Sequence, residues 1–519
     1  MERQYVVIVK KGVDLTALDA EIASEYGSET IPNRSVDIAN PRPGSTRMTH
    51  WMLTEEEANT LKQDDRILDV ELDESELPLF YDVNRFLDGN FTRGTNALSE
   101  SINWGLLRSN MYYQPDSYES TSYQYAFDGT GVDVVIVDTG IITNHPEFND
   151  ANGVSRIQQI DWYTESGLSG TQSSFFYSDT NGHGTHCASI AAGLKHGWAK
   201  NAHIYSMKHG GLATNGIPSS DMYDCIRLWH MNKNNSRPTV VNMSYGSYWP
   251  ATDLLSLNYR GSTIDVSAMS TTDIWTQYGV PPTKHISAID VGSAVTTELE
   301  ELLDAGVHVF VAAGNDSARI DLPGGIDYDN TITFRYEYNG ITYQRTSYYC
   351  RPYSPWNSRS MNVGNIDYEI YDPLNIGRGQ DRAAFSSNQG PAVNIWAPGS
   401  LIRAAYLNGD FYRDLDNLPS PEFYSRLLTG TSMAAPQVCG VAALYAQKYP
   451  NATPDELRSR MLYDAPTGNL ADDGNIDTYG NDRIYSLSGG PNKSLLSPFG
   501  KQPLNIRGTN ASFTGNLTT

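Results

Sequence analysis

The sequence has few cysteines and no long apolar run. Its 519 residues include four cysteines, and no two of them form a Cys-x-x-Cys pair, which argues against a disulfide scaffold and against a zinc site. No segment approaches the roughly 20 consecutive apolar residues that a membrane-spanning helix needs. Basic residues are also scarce, with 37 Lys and Arg against 60 Asp and Glu and a formal net charge of −23. That charge disfavours nucleic acid and anionic membranes as partners.

The first residues carry no recognisable export signal. The apolar run over residues 5–9 is too short for the core of a secretory signal, and it is followed by Lys10 and Lys11.

Residues 1–78 have the pattern of a small α+β domain. Helices are expected after Asp14 and after a capping box formed by Thr54 and Glu57. Strands are predicted over 5–9, 48–53 and 67–72, with a weaker one somewhere in 29–38. The resulting order, β-α-β-β-α-β, predicts a ferredoxin-like domain. Residues 79–103, rich in Asp, Asn, Gly, Thr and Ser, are predicted to be a linker.

From residue 104 onward, apolar strand patterns alternate with helical ones. Residues 132–137 form a nearly continuous β-branched run, which is typical of a strand covered on both faces in a parallel sheet. Further strands are predicted at 203–207, 239–243, 307–312, 361–366 and 393–396. This alternation predicts a doubly wound, mainly parallel α/β sheet over residues 104–486. Ligands bind such sheets at the carboxyl ends of the strands, where Asp138, Ser244 and Asn315 fall.

Two long stretches interrupt this alternation. They cover residues 247–287 and 316–360, and the second contains a hairpin signal around Asn339-Gly340. Both are predicted to lie on the surface near the ligand-binding rim. The polar residues 487–519 are predicted to form an extended or loosely ordered tail.

The stretch 428–444 predicts a tight turn followed at once by a buried helix. Gly430 permits the sharp entry, and Pro436 is expected in the first helical turn, where backbone donors lack partners. Ser432 then falls beside unpaired N–H groups and the positive end of the helix dipole, a favourable place for a developing oxyanion. Taken alone, the same motif also fits a capping serine before a core helix.

Three other motifs accompany Ser432. They are Asp138-Thr139-Gly140, Asn181-Gly182-His183-Gly184-Thr185-His186 and Ala312-Ala313-Gly314-Asn315. In order and spacing the set resembles the subtilisin-like serine proteases over about residues 104–486. Aspartic proteases also carry Asp-Thr-Gly, but a second Asp-Thr-Gly or Asp-Ser-Gly is absent here. The resemblance implies a serine endopeptidase.

The resemblance also assigns roles to residues. Ser432 would be the nucleophile, His183 the general base and Asp138 the group that orients the imidazole. Asn315 would donate its side-chain amide to the oxyanion, although a turn residue after Gly314 is the alternative reading. His186 is the rival base, and the family pattern places it as a packed neighbour.

Two segments are expected to line the primary specificity pocket. By resemblance, one wall consists of Ser244, Tyr245 and Gly246, and the other of Ala312, Ala313 and Gly314. The base of the pocket would come from the second long stretch, which leaves the specificity open with an apolar preference favoured. The partners implied are protein or peptide substrates, bound by strand addition.

Residues 1–78 resemble the inhibitory pro-domain of these enzymes. The resemblance implies an intramolecular inhibitor that is removed by self-cleavage between about Leu77 and Ser101. Within the family, Asn103-Trp104-Gly105-Leu106 and Cys187 look most like the proteinase K branch. The rival hypothesis is a catalytically silent structural or binding component whose cleft is blocked by its own residues 77–101.

The family needs no cofactor for catalysis but often binds calcium. Oxygen ligands are available in the group Asp472, Asp473, Asn475 and Asp477, although their spacing is not that of an EF-hand and a solvated loop is the other interpretation. The polar tail and the lack of an export signal leave three locations open. They are an intracellular protein, one attached to a larger particle such as a phage virion, or a secreted protein whose signal was trimmed.

Overall fold

The computed structural model describes most of the chain in two compact units, Met1–Asp82 and Val83–Thr519. The described residues are 2–10, 12–39, 48–72, 84–86, 103–111, 123–167, 170–171, 177–208, 219–246, 248–287, 294–338, 340–353, 355–368, 380–407, 424–472 and 486–499. Within them, no helix is both long enough and apolar enough to cross a membrane.

The amino-terminal unit is a small antiparallel sheet with two helices. Its elements are β1 (Arg3–Val9), α1 (Leu15–Ile22), β2 (Met48–Leu53), α2 (Glu55–Leu61) and β3 (Ile67–Leu72), and the strand order is β2-β1-β3. The Asp14 carboxylate caps α1, and Thr54 and Glu57 form the predicted capping box of α2. The local signals therefore placed both helices correctly.

Apart from a bridge between Gly27 and Pro32 inside a tight turn, the predicted strand within residues 29–38 is reduced to one antiparallel bridge between Ile38 and Trp51. Two backbone hydrogen bonds support it, from the Ala39 N–H to the His50 carbonyl and from the Met52 N–H to the Asp37 carbonyl. Residues 27–33 form a tight turn instead, because Ser28 and Ile31 bond to each other across it. Among the described residues, a full fourth strand of the ferredoxin-like pattern is therefore not formed.

The larger unit contains the remaining elements. The helices are α3 (Trp104–Arg108), α4 (Trp162–Ser166), α5 (His183–Ala192), α6 (Ser219–Asn232), α7 (Thr271–Tyr278), α8 (Ala294–Asp304), α9 (Thr431–Lys448) and α10 (Pro454–Asp464). The strands are β4 (Asn84–Phe86), β5 (Tyr123–Tyr125), β6 (Asp133–Asp138), β7 (Ile157–Gln159), β8 (His203–Lys208), β9 (Thr239–Met243), β10 (Tyr248–Pro250), β11 (Asp253–Tyr259), β12 (Ser262–Asp265), β13 (His285–Ser287), β14 (His308–Ala312), β15 (Thr331–Tyr338), β16 (Ile341–Tyr348), β17 (Met361–Ile366), β18 (Ile395–Pro398), β19 (Ile402–Tyr406) and β20 (Tyr424–Leu428).

A seven-stranded parallel sheet in the order β18-β17-β14-β9-β6-β8-β7 forms the centre of this unit. Side chains of β6 alternate between two buried clusters. Val134 and Ile136 pack with α5 and α9, and Val135 and Val137 pack with α6 and α8. Both faces of the sheet are covered, which explains the continuous β-branched run and confirms the predicted α/β class.

The two long stretches that interrupt the alternation fold together. Strands β11 and β12 from the first pair with β15 and β16 from the second in one antiparallel sheet, in the order β12-β11-β15-β16. Its shared apolar core includes Leu254, Leu257, Ile274, Ile286, Ile332, Phe334, Tyr349 and Cys350. We call residues 248–287 and 316–353 together the insertion body.

The sequence predicts a loosely ordered tail over residues 487–519, but residues 487–499 are packed; the rest of the tail lies outside the described residues. Leu487, Leu495 and Phe499 are buried in the main core. The backbone of Trp396 in β18 also bonds to residues on either side of Ser494, donating to Lys493 and accepting from Leu495. Three apolar anchors in a polar segment are too few to give a periodic signal, so the predicted domain boundary at 486 falls inside packed structure.

Candidate active site

Asp138, the last residue of β6, holds the first residue of α5. The His183 Nδ1 atom lies 2.8 Å from Asp138 Oδ1 and 3.0 Å from Oδ2, and the Asp138 side chain is buried. Gly184 permits this approach, because a Cβ atom there would lie 2.2 Å from the Gly140 carbonyl oxygen. The strand end and the helix start thus meet as the sequence motifs predict.

Asp179 anchors the start of α5 and was not singled out from the sequence. Its Oδ1 accepts from the backbone of Asn181 and Gly182 and from the Thr139 hydroxyl, and its Oδ2 accepts from the backbone and hydroxyl of Thr185. One carboxylate therefore joins the residue after Asp138 to the helix that carries His183. The available signal was an acid shortly before a helix, the usual composition of a helix amino terminus.

The two neighbouring histidines have opposite environments. Burial by itself lowers the pKa of His183, but the Asp138 carboxylate and the neighbouring Cys187 together outweigh it, so the pKa of His183 lies well above its ordinary value. Burial lowers the pKa of His186 to about 3, and the His186 Nε2 atom lies 3.0 Å from the Arg426 carbonyl oxygen. His186 is thus a neutral, packed side chain, as the family pattern implies.

Ser432 is the second residue of α9 and is close to β9. Its hydroxyl donates to the Ser244 carbonyl at 3.1 Å. Between the described side chains of Ser432 and His183, no hydrogen bond is formed in this structure, so the predicted contact of nucleophile and base is not present. Hydrogen bonds of catalytic groups are often long or unformed before a substrate binds.

Pro436 lies one turn inside α9, not in its first turn as the sequence predicts. A residue at this position would normally donate its N–H to the carbonyl four residues earlier, which is that of Ser432. The Ser432 carbonyl instead accepts from the Ser244 hydroxyl at 2.9 Å and from the Cys187 thiol at 3.3 Å. The main chain of the candidate nucleophile is therefore fixed by side chains from β9 and α5.

Asn315 is anchored to the helix that carries Ser432. The Asn315 Oδ1 atom accepts from the Thr431 N–H at 2.8 Å and from the Thr431 hydroxyl at 3.0 Å. Because an N–H group can only donate, the amide oxygen must face Thr431, and the NH2 group is left to donate elsewhere. This is the orientation that an oxyanion donor requires.

Asn388, which was also not singled out from the sequence, organises the segment around Asn315. Its Nδ2 donates to the Ala313 carbonyl at 2.8 Å, and its Oδ1 accepts from the backbone of Asp316 and Ala318. Gly314 has φ +105°, and a Cβ atom there would lie 2.3 Å from the Asn388 Nδ2. A buried asparagine in the loop before β18 gives no local signal of contacts made more than 70 residues away.

The two predicted pocket walls leave the sheet at the same edge. They follow β9 and β14, which are adjacent parallel strands. Ser244, Ala312 and Ala313 are buried, Gly314 and Tyr245 are half-buried, and Gly246 is exposed. The Tyr245 hydroxyl lies 2.8 Å from that of Tyr223 in α6.

Metal ligands were sought among the described residues. The one group there with three candidate ligand atoms close together is Asp138, His183 and Cys187. Burial raises the pKa of the Cys187 thiol, and nitrogen and sulfur donors do not suit calcium. Of the predicted calcium ligands, Asp472 accepts from the Leu487 N–H, whereas Asp473, Asn475 and Asp477 lie outside the described residues. Calcium therefore remains a prediction.

An aspartate that holds a histidine at the carboxyl edge of a parallel sheet, with a serine in the first turn of a neighbouring helix, is the arrangement typical of an α/β serine hydrolase. The sequence model of the subtilase family matches residues 129–485, more than half of the chain. The chain therefore belongs to the subtilase family, and the predicted class of serine endopeptidase is confirmed. Members of this family act on protein substrates and need no cofactor for catalysis.

Individual relatives are distant in sequence. An extracellular serine proteinase from a Thermus species is 25% identical over 474 residues, which cover 89% of this chain and 84% of the relative. The alkaline serine exoprotease A of Vibrio alginolyticus is 26% identical over 76% of this chain, which spans only 51% of that protein. The crystal structure of a cold adapted subtilisin-like serine proteinase covers 77% of this chain and 99% of its own, with 22% identity and a TM-score of 0.45.

Proposed function

We propose that this chain hydrolyses peptide bonds through an acyl-enzyme formed on Ser432, with His183 as general base and Asp138 as its orienting partner. The contact between His183 Nδ1 and both Asp138 carboxylate oxygens carries the proposal. It fixes the ring so that Nδ1 keeps its proton and Nε2 is the atom free to accept one.

The proposed reaction has two halves. In the first, the Ser432 oxygen attacks the substrate carbonyl carbon while His183 takes the hydroxyl proton, and that proton then passes to the leaving amine as the C–N bond breaks. In the second, a water molecule attacks the acyl-enzyme ester, gives a proton to His183, and the proton returns to the Ser432 oxygen. Asp138 stays ionised and stabilises the charged ring.

The developing oxyanion would be bound by the Asn315 amide and the Ser432 N–H. The contacts of Asn315 with Thr431 support this role, because they hold the amide against the first turn of α9. The positive end of the helix dipole adds to the stabilisation. Ser244–Gly246 and Ala312–Gly314 would bind the substrate on either side.

A fluorophosphonate label tests the nucleophile. Wild-type protein should be labelled on Ser432 and should cleave casein, and Ser432→Ala should lose both properties. Ser267→Ala, at an exposed serine of the insertion body, is the matched control and should keep both. Labelling that persists in Ser432→Ala would contradict the assignment. A wild-type protein that is neither labelled nor active after removal of residues 1–82 would support the silent structural component instead.

We also propose that the amino-terminal unit is an inhibitory pro-domain removed by self-cleavage between about Leu77 and Ser101. The separate fold of this unit, with its own buried core, supports the proposal. Wild-type protein should be shortened on incubation, as seen by sequencing the new amino terminus, whereas Ser432→Ala should stay at full length. Equal shortening of both would show that another protease does the cutting. Attachment to a larger particle remains a prediction.

A further inference from the structure

The insertion body contacts the segment that carries Asn315. His285 is the first residue of β13, which pairs with β10. The His285 Nδ1 atom lies 2.7 Å from Asp316 Oδ1, and the Thr283 hydroxyl donates to the same oxygen at 3.1 Å. Asp316 is buried and directly follows Asn315 in the chain.

His285 also contacts the residues next to both proposed pocket walls. Its ring stacks on Tyr248, with centroids 3.9 Å apart and planes inclined by 19°, and Tyr248 follows the wall Ser244–Gly246 in the chain. The His285 carbonyl accepts from the Tyr353 hydroxyl at 2.9 Å. The Tyr353 ring in turn lies against the other wall, because a Cβ atom on Gly314 would approach it to 3.1 Å.

Through these contacts, His285 helps to fix the position of the Asp316 carboxylate. A buried carboxylate needs charged or hydrogen-bonding partners, and the loss of one of them favours a position in which the carboxylate finds another. Asp316 is joined by a single peptide bond to Asn315, whose amide must point at one place to bind an oxyanion. Asp316 is held through its backbone by Asn388 and through its side chain by His285 and Thr283. Its carboxylate also interacts with the Tyr353 side chain.

We propose that His285 is a positioning residue of the protease site, acting through Asp316 to hold the Asn315 amide in its donating orientation. Through His285 alone, the insertion body thereby influences the geometry of the oxyanion donor. The inference rests on the proposed function, since it concerns the oxyanion donor of that reaction.

Two substitutions at His285 separate the hydrogen bond from the stacking. His285→Phe keeps a ring on Tyr248 but removes the donor to Asp316. His285→Asn keeps an N–H donor close to the former Nδ1 but removes the ring. His285→Phe should lower kcat on a peptide substrate on the order of tenfold, less than direct loss of an oxyanion donor, with KM within about twofold. His285→Asn should recover most of the lost rate.

Controls keep the test decisive. Active-site titration with a fluorophosphonate expresses kcat per folded site, so partial misfolding does not count as lost catalysis. The double variant Asp316→Asn/His285→Phe should be no slower than Asp316→Asn alone, because the effect of His285 passes through Asp316. His203→Phe, at the amino end of β8 and therefore at the opposite edge of the sheet, should leave kcat unchanged.

The outcomes are distinguishable. The inference is overturned if His285→Phe is as fast per site as wild type, if His285→Asn is as slow as His285→Phe, or if only KM changes. In each case an inactive Ser432→Ala would still support the proposed function. Activity that survives in Ser432→Ala would instead overturn the proposed function, whatever the result at His285.

Discussion

At the scale of single residues, the site depends on side chains fixed by partners from distant parts of the chain. Asn315 is an example, because its amide oxygen is used by Thr431 and its NH2 group alone is left for a substrate oxyanion. In the proposed reaction, the interaction that Asn315 offers matters only when negative charge develops on the substrate oxygen. Its contribution should therefore appear in kcat and not in substrate binding.

Replacing Asn315 with alanine should lower kcat by about 10²–10³-fold, equivalent to about 3–4 kcal/mol, a magnitude known from the subtilisin family. KM should change little, because the ground-state carbonyl does not need this donor. Steady-state kinetics on a chromogenic peptide measures the changes in kcat and KM separately. A variant that loses affinity at constant kcat would place Asn315 in ground-state binding instead.

The Asp138 carboxylate should control the pH dependence of the reaction. Because the pKa of His183 lies well above its ordinary value, and His183 must be deprotonated to act as a base, kcat/KM should rise with pH and reach its plateau above neutrality. Asp138→Asn removes the charge that raises this pKa, so the rise should shift to lower pH. The plateau of kcat should also fall, on the order of 10⁴-fold, since the useful tautomer is lost.

Profiles of kcat/KM against pH for wild type and for Asp138→Asn, recorded with active-site titration, test the expected shift. An unchanged midpoint in Asp138→Asn would show that Asp138 does not set the pKa of the base.

At the scale of secondary-structure elements, α9 departs from the regular pattern at one place that matters. Pro436 withholds the N–H that would bond to the Ser432 carbonyl, and Ser244 and Cys187 take its place. The start of the helix is therefore tied to β9 and α5 at the cost of one hydrogen bond within the helix.

Pro436→Ala should restore that bond and loosen the ties to Ser244 and Cys187. Proline in a helix interior is about 3 kcal/mol less favourable than alanine, so the variant should unfold at higher temperature. Ser432 should shift, and kcat should fall while KM changes less. Calorimetry measures the unfolding temperature, and steady-state kinetics on the same preparation measures kcat and KM. A Pro436→Ala variant that is less stable and fully active would contradict this role for Pro436.

Local sequence patterns predicted where the helices and strands lie better than they predicted which of them contact each other. The β-branched run predicted β6, and the small residues after Ser432 predicted α9, because burial on all sides leaves a continuous apolar signal. The pairing of β11 with β15 could not be predicted, because the pattern of polar and apolar residues within a strand does not specify which other strand it pairs with. Asn388 was missed for the same reason, because its role exists only through contacts made across the fold. Asp179 did have a local signal, but its bond to Thr139, 40 residues away, could not be predicted.

At the scale of the whole molecule, burial favours the neutral state of several histidines, of which His145, His186 and His308 are buried and His230 is half-buried. Burial lowers their pKa values to about 4 for His145 and His230 and to about 3 for His186 and His308. In the unfolded chain the same groups bind protons below about pH 6.5. The unfolded state therefore binds more protons than the folded state between about pH 3 and 6.5, so stability falls as the pH is lowered through this window.

His308→Phe isolates one of these groups. The buried ring is 2% exposed, and its removal should reduce the slope of the unfolding free energy against pH by about 1.4 kcal/mol per unit between the two pKa values. Urea unfolding at several pH values, with Ser267→Ala as the unaffected comparison, measures this slope. An identical slope in His308→Phe would mean that the group is protonated in the folded state too.

The shared sheet of the insertion body limits how this enzyme can be shortened. Two of its strands, β12 and β11, come from the first long stretch, and the other two, β15 and β16, come from the second. Deleting only one of the two long stretches would remove the partner of the remaining hairpin. The exposed strand edge and apolar side chains would then favour aggregation. A shortened variant that stays soluble would therefore have to lack both long stretches together.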